Sequence, residues 1–237
     1  MSGAARAKAL AVHLYTASGV VLAFFAAAEI VSPTPDPRTV LLLFAGTVLI
    51  DASDGPLARR WEVKRFAPHI DGRTIDDIVD YLTYTFLPLL LVWRMGWLPE
   101  PAALWVVPAL LASLFGFANS GAKDEEGGFF LGFPSYWNVV ALYAGILFHL
   151  YGPWINAAML LALAALTLAP VAFVYPNLAP RPWKVPVLLG AMIWLGLLVA
   201  MLADYPRPPA WLFWLSLAYP ALYTALSVHL RARRRRA

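Results

Sequence analysis

Four aspartates stand in two pairs. Asp51 and Asp54 are three residues apart, and Asp76 and Asp80 are four apart. Residues at those spacings share one face of a helix. Carboxylates held close together repel and are costly to desolvate, so the pattern predicts a cationic partner. A pair of divalent ions bound by oxygen fits best, because Mg²⁺ and Mn²⁺ take carboxylate and phosphate oxygens. The competing reading is a set of ordinary interfacial acids facing water and paired with Arg59, Arg60 or Arg73. Two spaced pairs flanked by Gly55, Ala58 and Gly72 favour the metal. The small residues clear space for a ligand to approach the backbone, and Arg59 supplies a planar donor suited to phosphate. Asp77 points about 100° round a helix from Asp76 and is expected to be a cap or interface residue.

The elements that must carry these side chains are membrane helices. The chain of 237 residues is 61% hydrophobic and 14% charged, with the charges gathered between long apolar runs. A hydrocarbon core needs about 20 apolar residues in a helix. Eight spans are expected, near 9–31, 39–60, 73–97, 101–121, 135–152, 154–176, 185–203 and 210–230. The fold class is all-α, polytopic, with one domain over 1–237. The run from Leu10 to Val31 is too long for the apolar part of a signal peptide and reads as the first span. Proline and glycine mark the connections, from Pro33, Pro35 and Pro37 to Pro206–Pro209. Pro88 should kink the third span. Gly19 in the first span, and Gly190 and Gly196 in the seventh, read as close-packing points. His13, His69, His149 and His229 show no metal-ligand spacing and read as interfacial or packing residues.

Eight spans put both termini on one side. That side then holds fifteen of the 18 Lys and Arg, leaving Arg38, Arg94 and Arg207 opposite. The positive-inside rule makes the richer side cytoplasmic. The aspartates therefore fall at the cytoplasmic ends of the second and third helices. The run Arg231 to Arg236 reads as a topology anchor meeting anionic lipid. A nucleic-acid partner is not expected, since no aromatic-interleaved basic surface accompanies the charge. The absence of cysteine excludes disulfides, cysteine zinc sites and thiol catalysis.

The pattern Asp51-x2-Asp54-Gly55-x2-Ala58-Arg59, twelve residues, then Gly72-x3-Asp76-x3-Asp80 fills every fixed position of the signature of the CDP-alcohol phosphotransferase family. The chain is identified as a member by that resemblance. The resemblance implies transfer of a substituted phosphate from a CDP-activated donor to an alcohol, with release of CMP. It implies that Asp51, Asp54 and Asp76 are metal ligands and that Asp80 borders the metals as general base. Gly55, Ala58, Arg59 and Gly72 would form the CDP-binding surface. The segments Asp54–Lys64, Ile70–Tyr84 and Phe129–Asn138 resemble the bacterial phosphatidylcholine synthase branch. That implies CDP-diacylglycerol as donor, choline as acceptor, and two Mn²⁺ or Mg²⁺ ions. It also implies a homodimer in the bacterial inner membrane. Phosphatidylserine synthase is the nearest rival, since Gly132-Phe133-Pro134-Ser135 is similar to a segment of those enzymes. Two departures stand out: most members have about six spans, and many open the first span with Pro-Asn and then Thr. Here His13-Leu14-Tyr15-Thr16 keeps the threonine alone.

Choline has no N–H to donate, so an aromatic cage is the usual way to hold it. Tyr81 and Tyr84 after Asp80, and Tyr136 and Trp137 at the start of the fifth span, are the candidates, with Glu126 as a helper. They compete with the ordinary enrichment of Tyr and Trp at bilayer interfaces. A cation transporter would place its acids near mid-membrane, on broken helices in repeated halves. These acids gather instead in one hairpin without a repeat.

Overall fold

The structure, a computed structural model, describes residues 3–119, 121, 123, 124 and 128–234. Helices begin where the capping chemistry directs. After α1 (Gly3–Ala17) and α2 (Gly19–Ile30), Asp36 accepts from the backbone N–H groups of Arg38 and Thr39 and opens α3 (Pro37–Arg60), with Pro37 in its first turn. A short α4 (Val63–Phe66) comes next. Asp71 then caps α5 (Gly72–Asp80), accepting from the Arg73 N–H and, at 2.7 Å, from the Thr74 hydroxyl. The Thr74 bond holds the Asp71 carboxyl below the usual carboxylate range.

From Asp80 the helix runs into a π turn, Tyr81–Phe86, and then α6 (Leu87–Arg94). After it come α7 (Ala103–Ala118), β1 (Lys123–Asp124), β2 (Phe129–Leu131), α8 (Trp137–Tyr151) and α9 (Pro153–Leu168). The chain ends through β3 (Ala172–Val174), α10 (Lys184–Met201) and α11 (Ala210–Arg234). Each expected span contains helix. Among the described residues, four stretches are long and apolar enough to cross a membrane: Gly3–Ile30, Pro37–Arg60, Lys184–Asp204 and Ala210–Arg234. α7, α8 and α9 are shorter apolar helices. Large side chains face outward along the long stretches, Leu49 and Met192 each at 69% exposure. A water-soluble protein does not expose apolar surface on that scale, and the molecule is a helical membrane protein.

The structure corrects three readings. The helix of the expected sixth span ends at Leu168 rather than at residue 176, because Pro170 cannot continue it. Beyond Pro170 the chain turns to strand: β2 pairs antiparallel with β1 and β3, with Phe130 opposite Phe173. Among the described residues the chain is helical apart from this small ribbon. Gly196 is no packing point, since a Cβ built there meets nothing within 4 Å, whereas one at Gly190 would strike the Tyr219 ring at 2.6 Å.

The chain divides into two compact units. One comprises Met1–Met95 with Trp137–Leu142, the other Gly96–Tyr136 with Tyr143–Ala237. In the first, α1 packs on α3, α4 and α5, and α2 packs on α3 and α6. Gly19 lets α2 come close to α5 as well: a Cβ there would lie 2.6 Å from Val79. Leu57, Ala58, Trp61 and Phe66 close over Ala9, Val12, Val63 and Ala67 and root the connection between α3 and α5. In the second unit α7 packs on α9, and α11 on α10 and β3.

Candidate active site

All four aspartates belong to the first unit. Asp51, Asp76 and Asp80 are partly buried and offer carboxylate oxygens that lie within 4.8 Å of one another. Two helices supply them. α5 contributes Asp76 and Asp80 one turn apart, and α3 contributes Asp51 from the turn before Gly55 and Pro56. Pro56 removes the N–H that would bond the Ala52 carbonyl, which loosens the helix backbone beside the site.

Asp54 is set apart from this trio. It is 8% exposed, and its Oδ2 accepts a 2.8 Å hydrogen bond from the Thr16 hydroxyl on α1. Beside it the Tyr15 hydroxyl and the Ser53 hydroxyl share a 2.7 Å bond. Asp77 is turned outward, 3.9 Å from Arg73 in an exposed pair, as expected of a residue off the shared face.

The donor set suits a hard divalent ion. Three carboxylates this close cannot all remain charged at low cost without a cation among them, and carboxylate oxygen is the ligand that Mg²⁺ and Mn²⁺ prefer. Asp51, Asp76 and Asp80 would hold such an ion, with Asp54 adjoining.

The small residues divide in two. Gly55 is open: apart from Arg59 Nη1 at 3.5 Å, nothing crowds a Cβ placed there. Ala58 is engaged in the apolar cluster beneath, and Arg59 is exposed at the end of α3. Gly72 is approached by protein, since a Cβ there would sit 2.9 Å from His13 Cε1. His13 is buried against it, and its Nε2 finds no partner among the described residues.

The aromatic candidates are placed differently from one another. Tyr81 is partly exposed on the turn after Asp80. Tyr84 is 6% exposed, and its hydroxyl donates to Asp51 Oδ2 at 2.7 Å. Trp137 is fully buried in the first unit, and Tyr136 is 43% exposed in the second. Glu126 lies outside the described residues. Thr16 and the link from Tyr84 to Asp51 are not visible in the sequence pattern. Each joins residues more than thirty positions apart, and the one signal was the retained threonine of the first span.

No family model matches the chain. Individual relatives do. It is 42% identical over 206 residues to "Phosphatidylcholine synthase" of Pseudomonas aeruginosa, covering 85% of this chain and 84% of the relative. The protein of the same name in Legionella pneumophila is 34% identical over 92% of this chain and 86% of its own length. For Rhizobium meliloti the figures are 32%, 86% and 83%. With this identity sustained over most of both sequences, the chain belongs to the phosphatidylcholine synthase family, enzymes of phospholipid synthesis.

Proposed function

We propose that the protein transfers a phosphatidyl group from CDP-diacylglycerol to choline, giving phosphatidylcholine and CMP. The observation that carries this is the trio Asp51, Asp76 and Asp80, with oxygens within 4.8 Å, in a chain whose relatives are named for that product. Two Mn²⁺ or Mg²⁺ ions would be held by these three residues and Asp54, and when bound would neutralise the donor's diphosphate. The choline hydroxyl oxygen attacks the phosphatidyl phosphorus. The bond from that phosphorus to the bridging oxygen breaks, and CMP leaves with the oxygen and the electron pair. Asp80 takes the hydroxyl proton.

Gly55 leaves room for the nucleotide, and Arg59 faces phosphate from the end of α3. Ala58 and Gly72 keep the backbone close on either side. For the acceptor, Tyr81 combines partial exposure with a place one residue from Asp80, which suits a quaternary ammonium. The whole chain acts as one membrane domain, a homodimer crossing the bacterial inner membrane eight times with both termini cytoplasmic. The charge division supports that orientation.

The test is CMP release by purified protein given CDP-diacylglycerol and Mn²⁺, with choline, serine, inositol or glycerol phosphate as acceptor. Release with choline is expected. Release with serine alone would move the protein to phosphatidylserine synthesis.

A further inference from the structure

Among the described residues one turn is π-helical, and it comes directly after Asp80. Its cause is in the sequence. Pro88 has no N–H, and its ring crowds the carbonyl four residues back, that of Tyr84. A π turn absorbs the conflict by closing wider bonds, and here the Leu87 N–H reaches the Leu82 carbonyl. Such turns are frequent at functional sites.

What this one delivers is a buried phenol. Tyr84 is enclosed, so its hydroxyl must find a partner inside the protein. It finds Asp51 Oδ2 at 2.7 Å. An ionised carboxylate only accepts, so the phenol donates. That bond stops the carboxylate from rotating and fixes the direction in which Asp51 faces Asp76 and Asp80. The neighbouring Thr83 hydroxyl, equally buried on the same turn, serves backbone instead, donating to the Val79 carbonyl at 2.9 Å.

We propose that Tyr84 is a positioning residue that fixes Asp51 for metal binding, and that the π turn before Pro88 seats it there. The proposal rests on the metal reading of the aspartates. It removes Tyr84 from the choline cage, because a cage wall must offer its ring face to the ligand and this ring is enclosed.

The test is Mn²⁺ titration of the purified protein, following free Mn²⁺ by electron paramagnetic resonance, with thermal melts of each variant. Tyr84→Phe is expected to bind Mn²⁺ about ten-fold more weakly and to need correspondingly more Mn²⁺ for half-maximal CMP release. Its KM for choline stays the same. Thr83→Val removes a hydroxyl from the same turn and should bind Mn²⁺ as the wild type does. Pro88→Ala keeps the phenol but removes the cause of the turn, and should weaken binding severalfold. Equal affinity in Tyr84→Phe and wild type would overturn the proposal, as would an equal loss in Thr83→Val. A raised choline KM with unchanged Mn²⁺ affinity would return Tyr84 to the acceptor site. Full affinity in Pro88→Ala would detach the turn from the role. Wild-type protein that binds no Mn²⁺ would remove the metal reading, and this inference with it.

Discussion

Buried hydroxyls do different work in the two halves of the molecule. Around α10 and α11 several of them satisfy one another or the backbone. Tyr219 donates to the Val187 carbonyl at 2.9 Å, Tyr143 to Ser216 at 2.8 Å, and Ser216 to the Phe213 carbonyl at 2.7 Å. Around α3 and α5 two of them turn to carboxylates, Thr16 to Asp54 and Tyr84 to Asp51. The first arrangement closes a low-dielectric interior with no ligand needed. The second orients carboxylates beside a cluster of acidic oxygens, a donor set that suits a divalent cation. The difference is testable because it assigns stability to one set and activity to the other.

The largest effect should come from the charges themselves. Asp51→Asn, Asp76→Asn and Asp80→Asn are each expected to lower CMP release roughly a thousand-fold or more. They should not weaken the metal-free protein. Removing one of three carboxylates whose oxygens lie within 4.8 Å relieves repulsion. Melting temperature without metal should therefore hold or rise, and the stabilisation produced by added Mn²⁺ should shrink. A large fall in the metal-free melting temperature would make these residues structural and erase the contrast with α10 and α11.

Thr16→Val comes next. It strips the hydrogen bond from a nearly buried carboxylate, and bonds to charged groups are worth about 1.5–3 kcal/mol. Activity should drop at least ten-fold, and Thr16→Ser, which keeps the hydroxyl, should recover most of it. Gly72→Ala tests the same wall from its other end. The added methyl would meet His13 Cε1 at 2.9 Å, and a displacement approaching 1 Å near a reacting centre can cost about a hundred-fold. If packing is the reason for the glycine, His13→Ala in the same chain should restore part of the loss. No recovery would leave ligand approach as its reason.

Much of this site was legible because helical spacing survives folding. Asp76 and Asp80, about 40° apart around a helix, arrive together. Asp51 and Asp54 are about 60° apart, and that wider angle lets Asp54 turn to Thr16 while Asp51 faces α5. A threonine thirty-eight residues away cannot be read from spacing. Pro88 announced a distortion of the third span, and the structure gives it the form of a π turn over Tyr81–Phe86. The ribbon was hidden for another reason. Strands of two and three residues are too short to show alternation, and Ala172–Val174 reads as the tail of an apolar span until Pro170 is weighed.

The smaller effects sharpen the comparison most. Tyr219→Phe loses a hydrogen bond to backbone between two membrane helices, worth about 0.6 kcal/mol. It should lower the melting temperature slightly and leave CMP release within about two-fold, since no carboxylate depends on it. Asp77→Asn should do less still. Its partner Arg73 is 3.9 Å away with both side chains largely in solvent, and exposed pairs of that kind contribute from zero to about 1 kcal/mol. Asp76 and Asp77 are neighbours on one helix with the same side chain. If Asp77→Asn is silent while Asp76→Asn abolishes turnover, orientation on α5 is what separates an ordinary surface acid from a working one. Comparable losses from both would mean that the charge of the whole helix end matters, rather than the oxygens gathered with Asp51.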